Sequence, residues 1–297
     1  MMGLSVDVVI VTKDRPEKLF RVVLSLLANS TLPTAIVVID SSTLFLSAFY
    51  IPYIKKLCRT VGVRLVYKSR VKTGISFARN TGIACCISDI VAFIDDDEIA
   101  SINWIKTIKD VFSRNHQCVV ITGPRVPYCK SNFWNTLWGT ILRYEQGYKG
   151  YRDFIFGDNA CYRLSFIKKH MLRFDPRMKI SSEDLSITYQ ILQSGERVFF
   201  CPELQIYHDF RTRFIDFMRQ WFWYGFGTYE FHYYYRINST LGLGSVNVLR
   251  SALSRSMRWS PSFIPIAPLQ FIGLACRDLV FLSGYLYSII VMIASGD

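Results

Sequence analysis

Residues 90–98 form a five-residue apolar run, Ile90–Ile94, broken off by Asp95, Asp96, Asp97 and Glu98. Few arrangements accommodate that junction. The run is too short for a helix and suits a strand buried on both faces. Four adjacent acids repel one another and are costly to bury, so they belong at the strand's end, solvated or shared with a cation. The plain alternative is an acidic turn that caps a helix near Ser101–Trp104.

The rest of the chain repeats the strand half of this pattern. Short apolar runs recur at Val6–Val11, Ile36–Ile39, Arg64–Tyr67, Val119–Ile121 and Val198–Phe200. Helical patterns lie between them. Pro16 opens one, with Leu19, Phe20, Val23, Leu24 and Leu27 on one face. Others are expected near Phe49–Arg59, Ile75–Cys86, Ile102–Phe112 and from Ser181 to Gly195. Such alternation predicts an α/β, Rossmann-like fold with a mainly parallel central sheet. Ligands of such sheets bind outside the carboxyl ends of the strands, so residues just after each strand are the ones to weigh.

Several of those residues are polar. Thr12-Lys13-Asp14-Arg15 follows the first run, and Asp40-Ser41-Ser42 the second. An acid at the second position can hydrogen-bond a base or ribose, although Asp-Ser-Ser also makes an ordinary turn. Arg70, Lys72 and Arg79 stand among Gly74, Asn80 and Gly82, where glycines permit close backbone approach and guanidinium groups suit phosphates. A solvated basic helix explains them equally. Glu183-Asp184 follows Ser181-Ser182 at a helix start. Ser181 can cap that helix and the acids suit its dipole, or Asp184 can serve as a general base. His208 follows the last strand, beside the acids if the sheet closes as expected. That makes it a candidate metal ligand as well as an ordinary histidine.

The chain has 297 residues and a net charge of +12, with 51% hydrophobic residues. That favours a phosphorylated substrate or an anionic membrane over nucleic acid, for which no zinc-finger spacing, arginine-rich tail or RNA-recognition signature is found. The eight cysteines form no CxxC pair and read as buried free thiols of a reducing compartment. The N-terminus lacks a basic leader and Asp7 interrupts its first apolar run, so no signal peptide is expected. Between Phe263 and Ser295 the only charges are Arg277 and Asp278. That stretch is long enough to cross a bilayer, as one tilted span rather than two short segments. Aromatic and cationic residues from Arg211 to Tyr235 suit a membrane interface. Arg250, Arg255 and Arg258 would keep the preceding chain on the cytoplasmic side of a cell membrane.

In this order, these pieces resemble family-2 glycosyltransferases with the GT-A fold. The likeness covers about Val6 to Gly227. It rests on Thr12-Lys13-Asp14-Arg15-Pro16, on Asp40, on Arg70, Gly74, Ala78, Arg79, Asn80 and Gly82, and on Phe93-Ile94-Asp95-Asp96-Asp97. It extends to Gly157, Asn159 and Arg163, to Glu183-Asp184 and to His208. The resemblance implies a catalytic domain over 1–227; composition adds an aromatic and basic membrane-interface segment over 228–262 and a transmembrane or membrane-anchoring segment over 263–295. The resemblance also implies that Thr12, Arg15, Asp40, Arg70, Gly74, Arg79, Asn80, Asp95 and Asp96 bind a nucleotide-diphosphate sugar. Asp97, Asp95 and His208 would hold Mg²⁺ or Mn²⁺, and Gly157, Asn159 and Arg163 would face the sugar and acceptor. Asp184, with Glu183, would be the base of an inverting displacement.

Two departures bear on function. Asp40-Ser41-Ser42 replaces the commoner Asp-Asp-Gly-Ser, which bears on the base contacts. The Gln-x-x-Arg-Trp motif of processive synthases is missing, Arg219-Gln220-Trp221 being a loose echo, so a single sugar addition is expected. The apolar tail points to a lipid-linked acceptor, or is a plain anchor with no bearing on the acceptor. A polyprenyl phosphate needs no strong base whereas a glycan hydroxyl does, so a working Asp184 favours the hydroxyl. Trp134, Trp138 and Tyr144 are candidates to shape the acceptor side. Trp134, Leu137, Trp138 and Ile141 also share helical spacing, which suits packing or shallow membrane contact. The rival readings are a nucleotidyltransferase, for which no early glycine-rich loop is present, and a non-catalytic membrane adaptor with a degenerate transferase domain.

Overall fold

The computed structural model describes residues 3–43, 46–69, 74–128, 133–134, 136–139, 149–153, 157–237 and 268–295. Arg70, Lys72, Ile141, Tyr144, Arg250, Arg255 and Arg258 lie outside them. The chain divides into two compact units.

The first unit comprises Met1–Cys129, Ile141–Lys179 and Glu183–Phe210. All six apolar runs are strands of its main sheet: β1 (Val6–Thr12), β2 (Ala35–Asp40), β3 (Arg64–Lys68), β4 (Ile90–Phe93), β6 (Val120–Thr122) and β10 (Val198–Phe200). With β8 (Gly150–Arg152) and β9 (Ala160–Arg163) they order as β3-β2-β1-β4-β9-β6-β10-β8. Neighbours β3, β2, β1 and β4 are parallel, as are β6 and β10. β9 runs against both β4 and β6, with Phe93 opposite Ala160 and Ile90 opposite Arg163. A smaller sheet of β5 (Glu98–Ala100), β11 (Ile206–His208) and β7 (Arg125–Pro127) has β11 at its centre.

The central strands β1, β2 and β4 bury both faces. Val8 and Ile10 of β1 face a cluster with Leu19, Val22, Val23 and Leu26 of α1 (Pro16–Leu27) and Trp104, Ile105, Ile108 and Phe112 of α4 (Trp104–Arg114). Val9 points to the other face, among Ala78 of α3 (Ile75–Cys85), Phe93, Tyr162, Phe174 and Ile187. Period-2 alternation along β1 thus feeds two cores, which is why Val8–Val11 is apolar without a break. Gly82 of α3 lies so close to Val9 that a Cβ there would overlap the valine side chain. Asp7, buried within β1, is answered by the Ile87 and Ser88 amides (2.8 and 3.1 Å) and the Ser88 hydroxyl (2.6 Å). The remaining helices of this unit are α2 (Leu46–Thr60), α5 (Leu164–His170) and α6 (Glu183–Gln193). All the described cysteines are free, and Cys58, Cys86, Cys118, Cys161 and Cys201 are buried.

The second unit comprises Lys130–Thr140, Ile180–Ser182 and Arg211–Asp297. It contains α7 (Phe214–Tyr234) and α8 (Pro268–Ser295). α8 is one continuous helix through Arg277 and Asp278, and Arg277 folds back onto the Asp278 carboxylate at 2.7 Å. Among the described residues, Ala275–Ala294 is a helical stretch long and apolar enough to cross a membrane by length and composition. Trp134 packs on Phe214 and Phe217, and Trp138 stacks on Trp221 at 5.4 Å. The two tryptophans are therefore packing residues of this unit. Ser181 does not cap α6: the helix opens at Glu183, and the Ser181 hydroxyl donates to the Trp223 carbonyl (2.7 Å).

Candidate active site

The carboxyl ends of β2, β1 and β4 lie side by side, with Thr12 opposite Asp40 and Val9 opposite Phe93. The chain leaves β4 in a tight turn: the Glu98 amide donates to the Asp95 carbonyl (3.2 Å), and the Asp95 amide to the Glu98 carboxylate (2.7 Å). This turn divides the four acids between two environments.

Asp95 and Asp96 are met by cations and hydroxyls. Asp96 is buried and accepts from the Thr12 hydroxyl (2.8 Å) and Arg15 (3.1 Å). Arg15 also reaches Asp97 at 3.1 Å. Arg79, 2% exposed, donates to Asp95 (3.2 Å) and to Glu183 at the start of α6 (2.6 Å). Its guanidinium lies over the rings of Phe93 and Phe174. Burial opposes the charge on Arg79, but Asp95, Glu183 and Asp184 overcome it and raise its pKa. Gly157 makes room for it, since a Cβ there would strike the guanidinium.

Glu98 faces the other way. In the small sheet it lies directly opposite His208, so the two side chains share a face. Carboxylate or imidazole atoms of Glu98, Asp158 and His208 lie within 4.8 Å of one another. Asp97 is 3.5 Å from His208, and Arg125 of β7 pairs with Asp158 at 2.9 Å. Glu98 is wholly buried, yet among the described residues its Oε1 has no hydrogen-bond partner, and neither has His208 Nδ1. Such atoms are costly unless something answers them. Burial pushes Glu98 well above the carboxylate range, helped by Asp158, Asp95 and Asp97. Burial lowers His208, with Asp97 opposing, so the imidazole is held neutral and able to ligate. Burial would also raise Asp158, but the Arg125 guanidinium paired with it outweighs burial and holds that acid below the ordinary carboxylate value. An oxygen-rich set with one neutral imidazole fits Mg²⁺ or Mn²⁺.

Asp184 follows Glu183 at the first turn of α6. Burial and then the neighbouring Glu183 carboxylate push it up to about 7, against the pull of Arg79. That value suits a group that takes a proton near neutral pH. Asp95 is also raised to about 7, by burial first, with Arg79 opposing.

The sequence-expected residues divide accordingly. Thr12, Arg15, Asp96 and Asp97 form one bonded set and Arg79, Asp95 and Glu183 another, adjoining where Asp95 and Asp96 follow one another in the chain, with Asp184 next to Glu183 and His208 on Asp97. Asp40, at the next strand end, is buried and accepts from Tyr67 (2.8 Å) and the Ser42 amide (2.8 Å). Gly74 precedes α3 with φ of 133°, a conformation that favours glycine. Asn80 is occupied elsewhere, exchanging hydrogen bonds with the Phe174 backbone at 2.7 and 2.9 Å. Asn159 and Arg163 are scaffold residues rather than acceptor-facing ones. Asn159 is wholly buried between the Trp104 indole (3.0 Å) and the Leu204 carbonyl (2.7 Å). Antiparallel β9 carries Arg163 to the opposite end of β4, where it binds the carbonyls of Cys118 and Phe112 (2.8 and 2.7 Å). Asp158 and Arg125 are not among the residues expected from sequence, and Glu98 figures there only as the fourth acid. The one signal for Asp158 is an acid beside Gly157 just before an apolar triplet.

Comparison with known proteins fixes the family. The model of glycosyl transferase family 2 matches residues 7–171, and that of glycosyl transferase family group 2 matches 90–295. The chain belongs to glycosyl transferase family 2. The curated relatives are distant. Glucosyl-dolichyl phosphate glucuronosyltransferase of Haloferax volcanii is 25% identical over 169 residues, covering 52% of this chain and 54% of its own length. The pre-mycofactocin glycosyltransferase of Mycobacterium tuberculosis is 26% identical over 166 residues, 51% of this chain and 33% of that protein. This family-2 chain thus spans about half or a third of the length of the curated relatives it matches. Among solved structures it resembles the mannosyltransferase PcManGT of Pyrobaculum calidifontis in complex with GDP-Man and Mn²⁺. The TM-score is 0.60 at 12% identity, over 100% of this chain and 77% of that one. GalNAc-T7 with UDP, GalNAc and Mn²⁺ gives 0.56 at 18% identity, over 71% of this chain and 45% of that one. At these identities the likeness establishes the GT-A-type fold alone.

Proposed function

We propose that the protein is an inverting glycosyltransferase that moves one sugar from a nucleotide-diphosphate donor to a lipid-linked acceptor. The observation that carries this is the cluster of Asp97, Glu98, Asp158 and His208 at the carboxyl edge of β4, with Arg79 linking Asp95 to the Glu183–Asp184 helix start. An acid- and imidazole-lined site with unanswered buried atoms fits a divalent cation, and Arg15 stands beside it at 39% side-chain exposure, available to a diphosphate.

Asp97, Glu98, Asp158 and His208 would hold Mg²⁺ or Mn²⁺, with Asp95 turned towards the nucleoside. When bound, the cation supplies charge to the departing diphosphate. The chain's own part is positional and protic. Asp40, Asp95 and Gly74 border the nucleoside side. Thr12 holds Asp96, and Asp96 holds Arg15 against the phosphates. Arg79 fixes the distance between the donor-side carboxylate and α6. Asp184, unprotonated above about pH 7, accepts the proton of the acceptor hydroxyl as it attacks the anomeric carbon from the side opposite the leaving group.

A lipid-linked acceptor is supported by the apolar Ala275–Ala294 stretch and by the dolichyl phosphate in the name of the haloarchaeal relative. A base at Asp184 favours a glycan hydroxyl on the lipid over a bare polyprenyl phosphate. The test incubates purified protein and Mn²⁺ with labelled UDP- and GDP-sugars and either polyprenyl phosphate or a polyprenyl-linked glycan. Labelled lipid formed with the glycan, and lost in Asp184→Asn, supports the reading. Metal-independent transfer, or no transfer and no sugar-nucleotide hydrolysis, contradicts it.

A further inference from the structure

The second unit bears on a question that composition leaves open: whether α8 crosses the membrane. Its contacts with α7 have a direction. Arg277 lies over the Trp221 ring, the Phe281 carbonyl abuts Gly225, and Tyr285 meets Tyr229 edge-on. Each pair is separated by 56 residues, so the two helices run the same way, side by side. His232, one turn beyond Tyr229, also reaches Tyr285, at 3.2 Å. The pair is close-packed: a Cβ on Gly225 would overlap the Phe281 carbonyl, and one on Gly284 the Phe222 carbonyl. α7 is therefore the neighbour of α8 along most of the apolar stretch Ala275–Ala294.

That neighbour is the wrong partner for a transmembrane span. At the same offset, Glu230 of α7 lies level with Leu286, near the middle of the stretch, and His232 lies level with Ser288. A crossing α8 would carry these groups into hydrocarbon. Two parallel neighbours would also require the chain between them to cross back.

The outward side of α8 agrees. Ala275, Leu279, Ser283, Leu286, Ile290 and Ile293 are exposed positions at three- and four-residue spacing, none of them charged. At 1.5 Å per residue the stripe is about 27 Å long. Phe214 and Ile215 are exposed at the start of α7, and Arg211, Arg213 and Arg219 are exposed around them. An apolar stripe with arginines nearby, on a chain of net charge +12, complements an anionic bilayer surface.

We infer that α7 and α8 form an in-plane membrane-docking unit. The stripe of α8 sinks into the headgroup boundary of an anionic leaflet, and neither helix crosses it. This rests on the membrane association proposed above and refines it. Such docking would keep the transferase at the surface where a lipid-linked acceptor presents its polar end.

The test uses the full chain with a C-terminal epitope tag, added to sealed vesicles of neutral lipid or of neutral lipid with phosphatidylglycerol. Flotation with the anionic vesicles, at least about tenfold above the neutral ones, is expected, with the tag fully open to added protease. Leu286→Asp combined with Ile290→Asp should reduce flotation at least about tenfold while leaving nucleotide binding, read separately as a check on folding, unchanged. A tag protected until detergent is added would overturn the in-plane arrangement while leaving membrane association standing. Absence of flotation on either vesicle would overturn both. A solution dimer abolished by the double substitution, without vesicle binding, would assign the stripe to a second copy of the chain instead.

Discussion

The two sides of the acidic turn after β4 contrast in how their charges are met. On the β1 side, Asp95 and Asp96 are paired with Arg79, Arg15 and Thr12, and those bonds tie strand ends to helices. On the β5 side, Glu98, Asp158 and His208 are also deep, but Glu98 Oε1 and His208 Nδ1 are unanswered among the described residues. On the first side every acid meets a cation or hydroxyl of the protein, although Arg79 Nε has no partner among the described residues; on the second, a carboxylate oxygen and an imidazole nitrogen are left unanswered. If the one run of four acids carries two roles, as proposed, substitutions should separate them by what they damage.

The largest effect should fall on catalysis, at the base beside this network. Asp184→Asn should lower the transfer rate about 10²–10⁴-fold with little loss of donor affinity. In the native protein the rate should climb as pH rises through about 7. Because the folded pKa of Asp184 is raised, its proton stabilises the folded state below the ordinary carboxylate range, and that contribution is lost as pH rises through about 7. A flat rate profile from about one pH unit below that value to one above it would remove Asp184 from the role of base.

Next comes the paired side. Arg79→Ala leaves the partly buried Asp95 and Glu183 without their cation and removes the guanidinium packed over Phe93 and Phe174. Denaturant titration should show a loss of about 3–5 kcal/mol. A loss below about 1 kcal/mol would mean that these acids do not depend on Arg79. On the unpaired side, Glu98→Gln should leave stability nearly unchanged, since it removes a carboxylate with an unanswered oxygen. Mn²⁺ affinity, read by electron paramagnetic resonance, should fall about 10–100-fold. If Glu98→Gln instead unfolds the protein and spares Mn²⁺ binding, the contrast between the two sides is wrong. The smallest effect expected is at Asp96→Asn, where an amide oxygen still accepts from Thr12 but the charge facing Arg15 is gone. Thermal unfolding should register about 1–2 kcal/mol.

How much of this is legible in the sequence follows from the length of each signal. The runs at β1, β2 and β4 mark the main sheet because strands buried on both faces have little polar alternation to hide them, and β3, partly exposed, is marked only by its short apolar triplet. β9 is not legible: Ala160–Arg163 is four residues long, and its reversed direction is what removes Arg163 from the site. The three-residue strands of the small sheet are too short to carry a pattern, yet their register places His208 opposite Glu98. Asp158 is hidden for the same reason: its importance comes from Arg125 and His208, which lie far from it along the chain. Trp134 and Trp138 are legible as a helical face, and a sequence does not reveal that such a face meets Phe217 and Trp221 rather than a sugar.

The most direct test of the central claim, that this acidic edge is a cation-dependent nucleotide-diphosphate site, is titration calorimetry of the detergent-solubilised protein. UDP and GDP would each be titrated with and without Mn²⁺, into the native chain and into Asp97→Ala. One nucleotide should bind, only with Mn²⁺, and Asp97→Ala should abolish that binding. Binding that ignores Mn²⁺ and survives Asp97→Ala, or no binding of either nucleotide by folded protein, would contradict the claim.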